Sequence, residues 1–247
     1  MKQNIYDNEA FFKGYSGIRD NVNNANNLFE KPALFSLLPD LADKTVLDLG
    51  CGFGENCMRY VDKGAKRVVG VDISKKMLAV AEAENAHENI EYINTPMEDI
   101  GEIRERFDVV VSSLAIQYVE DFRGLIANIY RLLNDGGVLA FSQEHPINTC
   151  FSTGSRWTYD EKGNKLFANL ANYSVDGVRE STWFVDGVKK YHRTLSSIIN
   201  TLIGEGFRIE KVIEPVPTLE MLKEHPEYDD LLIKPDFLVV RARKADK

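Results

Sequence analysis

Short apolar runs rich in valine and isoleucine alternate with helical patterns over residues 1–144. Such alternation is typical of βαβ units, in which parallel strands form a sheet with helices on both faces. The pattern predicts five strands, at KTVLDLG (44–50), RVVGVDI (67–73), IEYIN (90–94), FDVVVSS (107–113) and GVLAFSQE (137–144).

The pattern changes after residue 144. Residues 145–193 are polar and aromatic, include several glycines, and show no amphipathic helix of useful length, so we interpret them as an insertion beside the sheet. A helical stripe follows from residue 195 and is closed by glycines at 204 and 206. Two more strands are predicted at RIEKVIEP (208–215) and FLVVRARK (237–244), and we expect the last one to run antiparallel.

These elements predict an α/β fold with a doubly wound, mostly parallel, seven-stranded sheet, helices on both faces and an antiparallel last strand. With 247 residues and no evident linker or repeat, the chain is interpreted as a single domain over residues 1–247. Residues 1–30 are expected to form a helical cap, because Phe11, Phe12 and Tyr15 have the spacing of an amphipathic helix.

Charge and composition restrict the classes of partner. A net charge of −8 and a pI near 5.2 argue against nucleic acid and anionic membranes as partners. The sequence has no apolar run long enough to cross a membrane and no apolar core of a signal peptide near its start, so we expect a cytoplasmic protein.

Cysteine and histidine positions indicate neither a disulfide framework nor a metal site. The three cysteines have no paired spacing, and the four histidines are scattered. One short basic cluster is interpreted as a solvated strand end: Lys189, Lys190, His192 and Arg193.

Three glycines at alternate positions, Gly50, Gly52 and Gly54, directly follow the first predicted strand. Glycine permits backbone angles that other residues avoid and lets a ligand approach the backbone closely. Open α/β sheets bind ligands at the carboxyl ends of their strands, where this turn lies. Asp72 ends the second strand, where a carboxylate would accept hydrogen bonds from both hydroxyls of a ribose. The sequence therefore predicts a nucleoside-binding site, although the spacing G-x-G-x-G differs from the dinucleotide fingerprint G-x-G-x-x-G.

Four stretches resemble the motifs of class I, Rossmann-like methyltransferases that use S-adenosylmethionine (SAM) and release S-adenosylhomocysteine (SAH). They are VLDLGCGFG, VVGVDIS, FDVVVSSLAIQYVED and LLNDGGVLAFS, and the resemblance covers about residues 30–144. EHPI (144–147) and KKYHRTL (189–195) are also similar to a bacterial subgroup of small-molecule methyltransferases.

The resemblance implies a set of cofactor-binding residues. Asp48 and the turn formed by Gly50, Cys51 and Gly52 would hold the methionine part of SAM, and Asp72 would hold the ribose.

The adenine end is implied in the same way. Ile73 would pack on adenine, and Met97 and Glu98 match the family's adenine-recognition turn, although Pro96 stands where an aspartate is usual. Ser113 would present its carbonyl to the SAM amino group, or would simply end its strand.

The predicted N-terminal helix offers two more candidates. Tyr15 and Arg19 share one face of that helix, since they lie four residues apart. They are candidates for sealing the pocket and holding the SAM carboxylate, and a plain surface arginine is the alternative for Arg19.

Methyl transfer needs a nucleophile held in line with the methyl group, and it needs a base only if the acceptor must lose a proton. The candidates for catalytic roles are His145, Tyr118, Gln117 and His192, together with Glu144. We favour His145, with a histidine that caps the strand end as the alternative. Gln117 stands where related sequences often have histidine, and an amide can orient a substrate but cannot accept a proton.

The acceptor is expected to be a small molecule with an oxygen, nitrogen or carbon nucleophile, bound on the side of the insertion. Seven aromatic residues could enclose it or could simply pack the insertion: Trp157, Tyr159, Phe167, Tyr173, Trp183, Phe184 and Tyr191. Two other functions stay open at this point. One is a SAM-binding sensor without catalysis, and the other is an NAD(P)-dependent oxidoreductase, which the glycine spacing disfavours.

Overall fold

The computed structural model describes residues 2–19, 21–151 and 154–245. Its strands are β1 (Thr45–Leu49), β2 (Arg67–Asp72), β3 (Ile90–Asn94), β4 (Phe107–Ser112), β5 (Leu133–Glu144), β6 (Trp157–Tyr159), β7 (Lys165–Ala168), β8 (Gly177–Trp183), β9 (Val185–His192), β10 (Phe207–Ile213) and β11 (Phe237–Lys244).

In the described residues, seven of these strands form one sheet in the order β10-β11-β5-β4-β1-β2-β3. Strands β1 to β5 pair in parallel, whereas β11 is antiparallel to both β5 and β10. The prediction of a mostly parallel seven-stranded sheet with an antiparallel last strand is confirmed. Strand β5 begins earlier than predicted, at Leu133, because Leu133 already pairs with Phe107 of β4.

The helices are α1 (Glu9–Arg19), α2 (Lys31–Ser36), α3 (Glu55–Asp62), α4 (Lys75–Glu84), α5 (Phe122–Leu132), α6 (Pro146–Thr149), α7 (Leu195–Gly204) and α8 (Met221–Glu224). Helices α2, α3 and α4 contribute to the core on one face of the sheet, and α5 and α7 contribute to the core on the other. The predicted doubly wound arrangement is therefore present.

The N-terminal region carries irregular helical turns besides α1. A 3₁₀ turn at Ile5–Asp7 precedes α1, and a π-helical turn at Asn26–Glu30 leads into α2. Phe11 of α1 is fully buried, and its ring makes edge contacts with the rings of Tyr6 and Trp183. Aromatic packing thus fixes α1 over the carboxyl end of the sheet.

Within residues 154–193, two antiparallel hairpins, β6–β7 and β8–β9, lie outside the main sheet. The interpretation of the neighbouring basic cluster as a solvated strand end is wrong for two of its members. His192 and Arg193 are buried, and the Arg193 guanidinium donates to the carbonyls of Val119 and Glu120. These hydrogen bonds join the end of the second hairpin to the connection between β4 and α5.

In the part of the chain that the structure describes, no helix is both long and apolar enough to span a bilayer. The same residues contain no group of three or more histidine, cysteine, aspartate or glutamate side chains that could hold a metal ion. Cys51, Cys57 and Cys150 are buried free thiols.

Candidate functional site

The turn after β1 has the left-handed backbone that the sequence predicts. Gly50, Gly52 and Gly54 have φ values of +75°, +55° and +78°. A Cβ atom on Gly50 would overlap with Ala115, and one on Gly54 would overlap with the Tyr92 side chain. A Cβ atom on Gly52 would have no atom within 4 Å. Two glycines are therefore needed for packing, and the third keeps open the space in front of the turn.

That space belongs to a cavity of about 260 Å³ at the carboxyl ends of β1, β2 and β4. The cavity is lined by most of the predicted cofactor residues: Tyr15, Arg19, Gly50, Cys51, Gly52, Asp72, Ile73, Met97, Glu98 and Ser113. Gln117, Tyr118 and Glu144 also line it. It lies beside β1, where the strand order reverses, which is the usual ligand position in open α/β sheets.

Asp72 is held at the cavity wall in one orientation. Its Oδ2 accepts from the backbone N–H of Gly52 at 2.9 Å, and its Oδ1 accepts from the N–H of Ser74 at 2.8 Å. Burial raises the pKa of this carboxyl, and the two backbone N–H groups oppose that rise. The geometry leaves free lone pairs on a fixed carboxylate, which suits a pair of ribose hydroxyls.

Asp48 does not belong to the described lining of the cavity, and its contact with the cofactor stays a prediction. Side chains alternate along a strand, and Asp48 follows Val46 onto the face that packs against α2 and α3. Cys57 of α3 donates its thiol to Oδ2 at 3.5 Å, while Oδ1 has no hydrogen-bond partner among the described residues. Burial raises the pKa of Asp48 to about 7.

This pKa makes the protein's stability depend on pH. Between the unfolded pKa, 3.8, and about 7, the folded state holds a proton that the unfolded state has lost. Stability therefore falls as pH rises through this window, by at most about 1.4 kcal/mol per pH unit. An asparagine at this position has no carboxyl group to ionise in the buried site. We therefore expect the unfolding free energy of Asp48→Asn to exceed that of the wild type, and by most above pH 7. Denaturant unfolding at pH 5 to 8 measures the difference, and a gain that is the same at every pH would contradict the prediction.

His145 also lies outside the set of described residues that line the cavity, and its role beside the transferring methyl group stays a prediction. Its Nδ1 accepts from the N–H of Ile147, and its Nε2 lies 2.8 Å from Glu214 Oε1. Because Nδ1 accepts a hydrogen bond, the ring proton is on Nε2, and Nε2–H donates a hydrogen bond to Glu214. Burial lowers the His145 pKa, so the ring is neutral at pH 7 and caps α6. The alternative of a capping histidine fits this geometry.

His192 is similarly engaged elsewhere. Its Nε2 donates to the carbonyl of Tyr173 at 2.8 Å, and its Nδ1 pairs with Thr149 Oγ1 at 2.8 Å. Burial lowers its pKa. His192 is absent from the described cavity wall, and its role at the reaction site stays a prediction.

The structure adds cavity residues that the sequence analysis missed. They include Tyr6, Asn26, Glu30, Lys31, Glu55 and Asn56. Glu30 ends the π-helical turn and is fully buried, and its Oε1 accepts from the hydroxyls of Ser113 and Ser142. No local motif marks this residue, because its partners lie far along the chain.

Arg19 lines the cavity, where its guanidinium has a partner. Its guanidinium pairs with Glu55, which also accepts from Lys31 Nζ at 3.2 Å. One carboxylate of the wall is thus shared between two cations.

Part of the cavity wall is aromatic. Tyr6, Tyr118 and Trp183 belong to it, and the Lys190 ammonium lies 5.1 Å from the Trp183 ring and pairs with Glu144. Of the seven aromatic residues named from the sequence, Trp183 alone belongs to the described lining. Trp157, for example, instead packs under the ammonium groups of Lys165 and Lys234.

Comparison with known proteins identifies the family to which this fold and site belong. A family model described as a methyltransferase domain matches residues 47–141. A Haemophilus influenzae protein is 39% identical over 252 residues, covering 100% of this chain and 99% of that protein. The malonyl-[acyl-carrier protein] O-methyltransferase of Salmonella typhimurium is 34% identical over 191 residues, which cover 70% of this chain and 72% of that protein. The crystal structure of a SAM-dependent methyltransferase from Mesorhizobium loti has a TM-score of 0.80 and 36% identity, and covers 90% of this chain and 98% of that one.

The fold, the glycine turn and these similarities define a methyltransferase with a Rossmann-like sheet. The chain belongs to the class I SAM-dependent methyltransferases, with SAM as its cofactor. The alternative prediction of an NAD(P)-dependent oxidoreductase is therefore wrong. The protein is a methyltransferase, and thus an enzyme.

The residues of the cavity fit this cofactor. Gly52 leaves room where a Cβ atom would project, and Asp72 presents a fixed carboxylate. Glu30 Oε2 is buried without a hydrogen-bond partner within the described ranges, as expected of an atom that a ligand completes. The carboxylates also favour a cation, and the sulfonium of SAM carries a positive charge.

Proposed function

We propose that the protein transfers the methyl group of SAM to a small organic acceptor, bound at the aromatic part of the cavity wall. The observation that supports this most is that one cavity is lined both by the cofactor residues and by the aromatic side chains of Tyr6, Tyr118 and Trp183. Its wall of aromatic rings and a few polar groups is typical of small-molecule sites. A cytoplasmic location stays a prediction from the sequence.

In this proposal the adenosine part of SAM lies at Asp72, Ile73, Met97 and Glu98. Pro96 also lines the cavity, but its side chain cannot accept a hydrogen bond from adenine. Glu98, two residues later, lines the cavity as well and offers a carboxylate that could accept it. SAM, when bound, supplies an already activated methyl group, and the chain's part is to hold the acceptor in line with it.

Gln117 is suited to hold the acceptor. It is buried, and its Nε2 donates to the Leu114 carbonyl at 2.7 Å, which fixes the amide. Its Oε1 has no hydrogen-bond partner in the part of the chain described, and the residue lines the cavity. An amide oxygen accepts hydrogen bonds, so the acceptor would present an N–H or O–H group to it.

The tyrosines act here as donors and not as bases. Burial raises the pKa of Tyr6 and of Tyr118, so both hydroxyls keep their protons at neutral pH. With His145 and His192 engaged elsewhere, Glu144 is a carboxylate of the cavity wall that could take a proton. It also borders a second cavity of about 170 Å³, shared with Lys190, which offers room for the distal part of an acceptor.

The test uses SAM with a radioactive methyl group and a bacterial extract separated into dialysable, protein and RNA fractions. We expect label in the dialysable fraction. Label confined to protein or RNA, or no transfer at all, would contradict a small-molecule acceptor.

Gln117→Leu should lower the rate of transfer about tenfold, because the acceptor loses one hydrogen bond. Affinity for SAH should not change. Gln143→Leu is the matched control, since Gln143 is a buried amide that the described cavity wall does not include. Equal effects of the two substitutions would show that Gln117 acts only through stability.

A further inference from the structure

The most unusual group in the cavity is the Glu30 carboxyl. It is fully buried, and burial raises its pKa although the Ser142 and Ser113 hydroxyls oppose that rise. Both hydroxyls donate to the same oxygen, Oε1. Oε2 remains buried without a partner in the described residues, and Glu30 lines the cavity. A buried carboxylate oxygen of this kind is costly unless a donor, and best a cation, binds it.

Two cationic side chains lie near this acid. Arg19 and Lys31 share the single carboxylate of Glu55, and all three side chains line the cavity. Burial, and then the nearby Arg19, lower the pKa of Lys31, and the Glu55 carboxylate opposes that fall. A ligand carboxylate would give these two cations a second acceptor besides Glu55.

We propose that Glu30, together with Arg19 and Lys31, forms a clamp for a zwitterionic α-amino acid, the methionine tail of the cofactor. Glu30 Oε2 accepts from the ammonium group, and Arg19 and Lys31 bind the carboxylate. The Ser113 hydroxyl donates to Glu30, and the backbone carbonyl of Ser113 is the group that the sequence predicts to accept from the same ammonium group. The inference rests on the proposed placement of the adenosine at Asp72, and it does not depend on the acceptor.

The clamp is tested by comparing two ligands. SAH carries the amino-acid tail, whereas 5′-methylthioadenosine keeps the adenosine and the sulfur but lacks the tail. Isothermal titration calorimetry measures both dissociation constants. Glu30→Gln should weaken SAH binding about tenfold and leave that of 5′-methylthioadenosine unchanged within about twofold. Glu88→Gln, at an exposed position outside the cavity, is the matched control and should change neither.

A second variant separates the two halves of the clamp. Lys31→Met should weaken SAH binding and spare decarboxylated SAM, which keeps the ammonium group but has no carboxylate. If Glu30→Gln does not unfold cooperatively, Glu30→Asp replaces it, since it keeps the charge but withdraws it by one methylene.

Equal weakening of SAH and 5′-methylthioadenosine by Glu30→Gln would overturn the clamp, because the residue would then serve only the fold. Unchanged SAH affinity would overturn it as well. Neither measurement involves an acceptor, so either result leaves the proposed methyl transfer untouched. Failure of the transfer assay, in turn, leaves the clamp untouched.

Discussion

Asp72→Ala should weaken the binding of SAM and SAH by about 100- to 1000-fold, or roughly 3–4 kcal/mol. The substitution removes a carboxylate that would accept from both ribose hydroxyls, and it also releases the N–H of Gly52, which this carboxylate fixes at 2.9 Å. Calorimetric titration with SAH measures the loss. Unlike Glu30→Gln, this substitution should weaken SAH and 5′-methylthioadenosine alike, because both ligands contain the ribose.

Asp108→Ala is the matched control for Asp72→Ala. Asp108 is likewise a strand carboxylate that accepts from a backbone N–H, that of Thr45 at 2.9 Å, but it lies near the amino end of β4 and outside the described cavity wall. Both substitutions should lower the thermal midpoint of the free protein modestly. If Asp72→Ala lowers the midpoint but leaves the affinity for SAH within about threefold of the wild type, the ribose assignment fails.

Gly52→Ala should weaken SAH binding about 100-fold, because the added methyl group would occupy the space that the turn leaves for the cofactor. No atom of the described protein lies within 4 Å of the position of the new Cβ, so the substitution creates no clash with the chain itself. The remaining effect on the free protein is backbone strain, since φ at this position is +55°.

Gly163→Ala is the control that distinguishes backbone strain from steric exclusion of the cofactor. Gly163 also has a positive φ, +84°, with open space around its Cβ position, and it lies in the turn between β6 and β7. We expect the two variants to lose similar stability, about 1–2 kcal/mol each in denaturant unfolding. Only Gly52→Ala should lose affinity for SAH, and comparable losses in both variants would mean that the turn does not contact the cofactor.

The sheet and the glycine turn could be predicted because their signals are local. Apolar runs of the right length mark β1 to β5, and Gly50, Gly52 and Asp72 stand at fixed offsets from strand ends. The face of Asp48 could also have been derived, since the alternation of a strand places it with Val46 toward α3.

The rest depends on contacts between distant parts of the chain. His145 follows a strand end, as predicted, but its ring pairs with Glu214, which lies 69 residues later in the chain. Glu30 faces the cavity because Ser113 and Ser142 fix its carboxyl, at separations of 83 and 112 residues. Such partners follow from the finished sheet order and not from any pattern around either residue.

The π-helical turn at Asn26–Glu30 sets the direction in which Glu30 points. A turn of this kind contains one residue more than an α-helical turn, and each residue of an α-helix advances the side chains by about 100°. Deleting one residue there would rotate the acid out of phase with the cavity. In an alignment of relatives, a glutamate at this position is therefore expected to face the cavity only where the additional residue of the turn is also present. A relative that lacks one residue in this turn would direct an identical glutamate elsewhere.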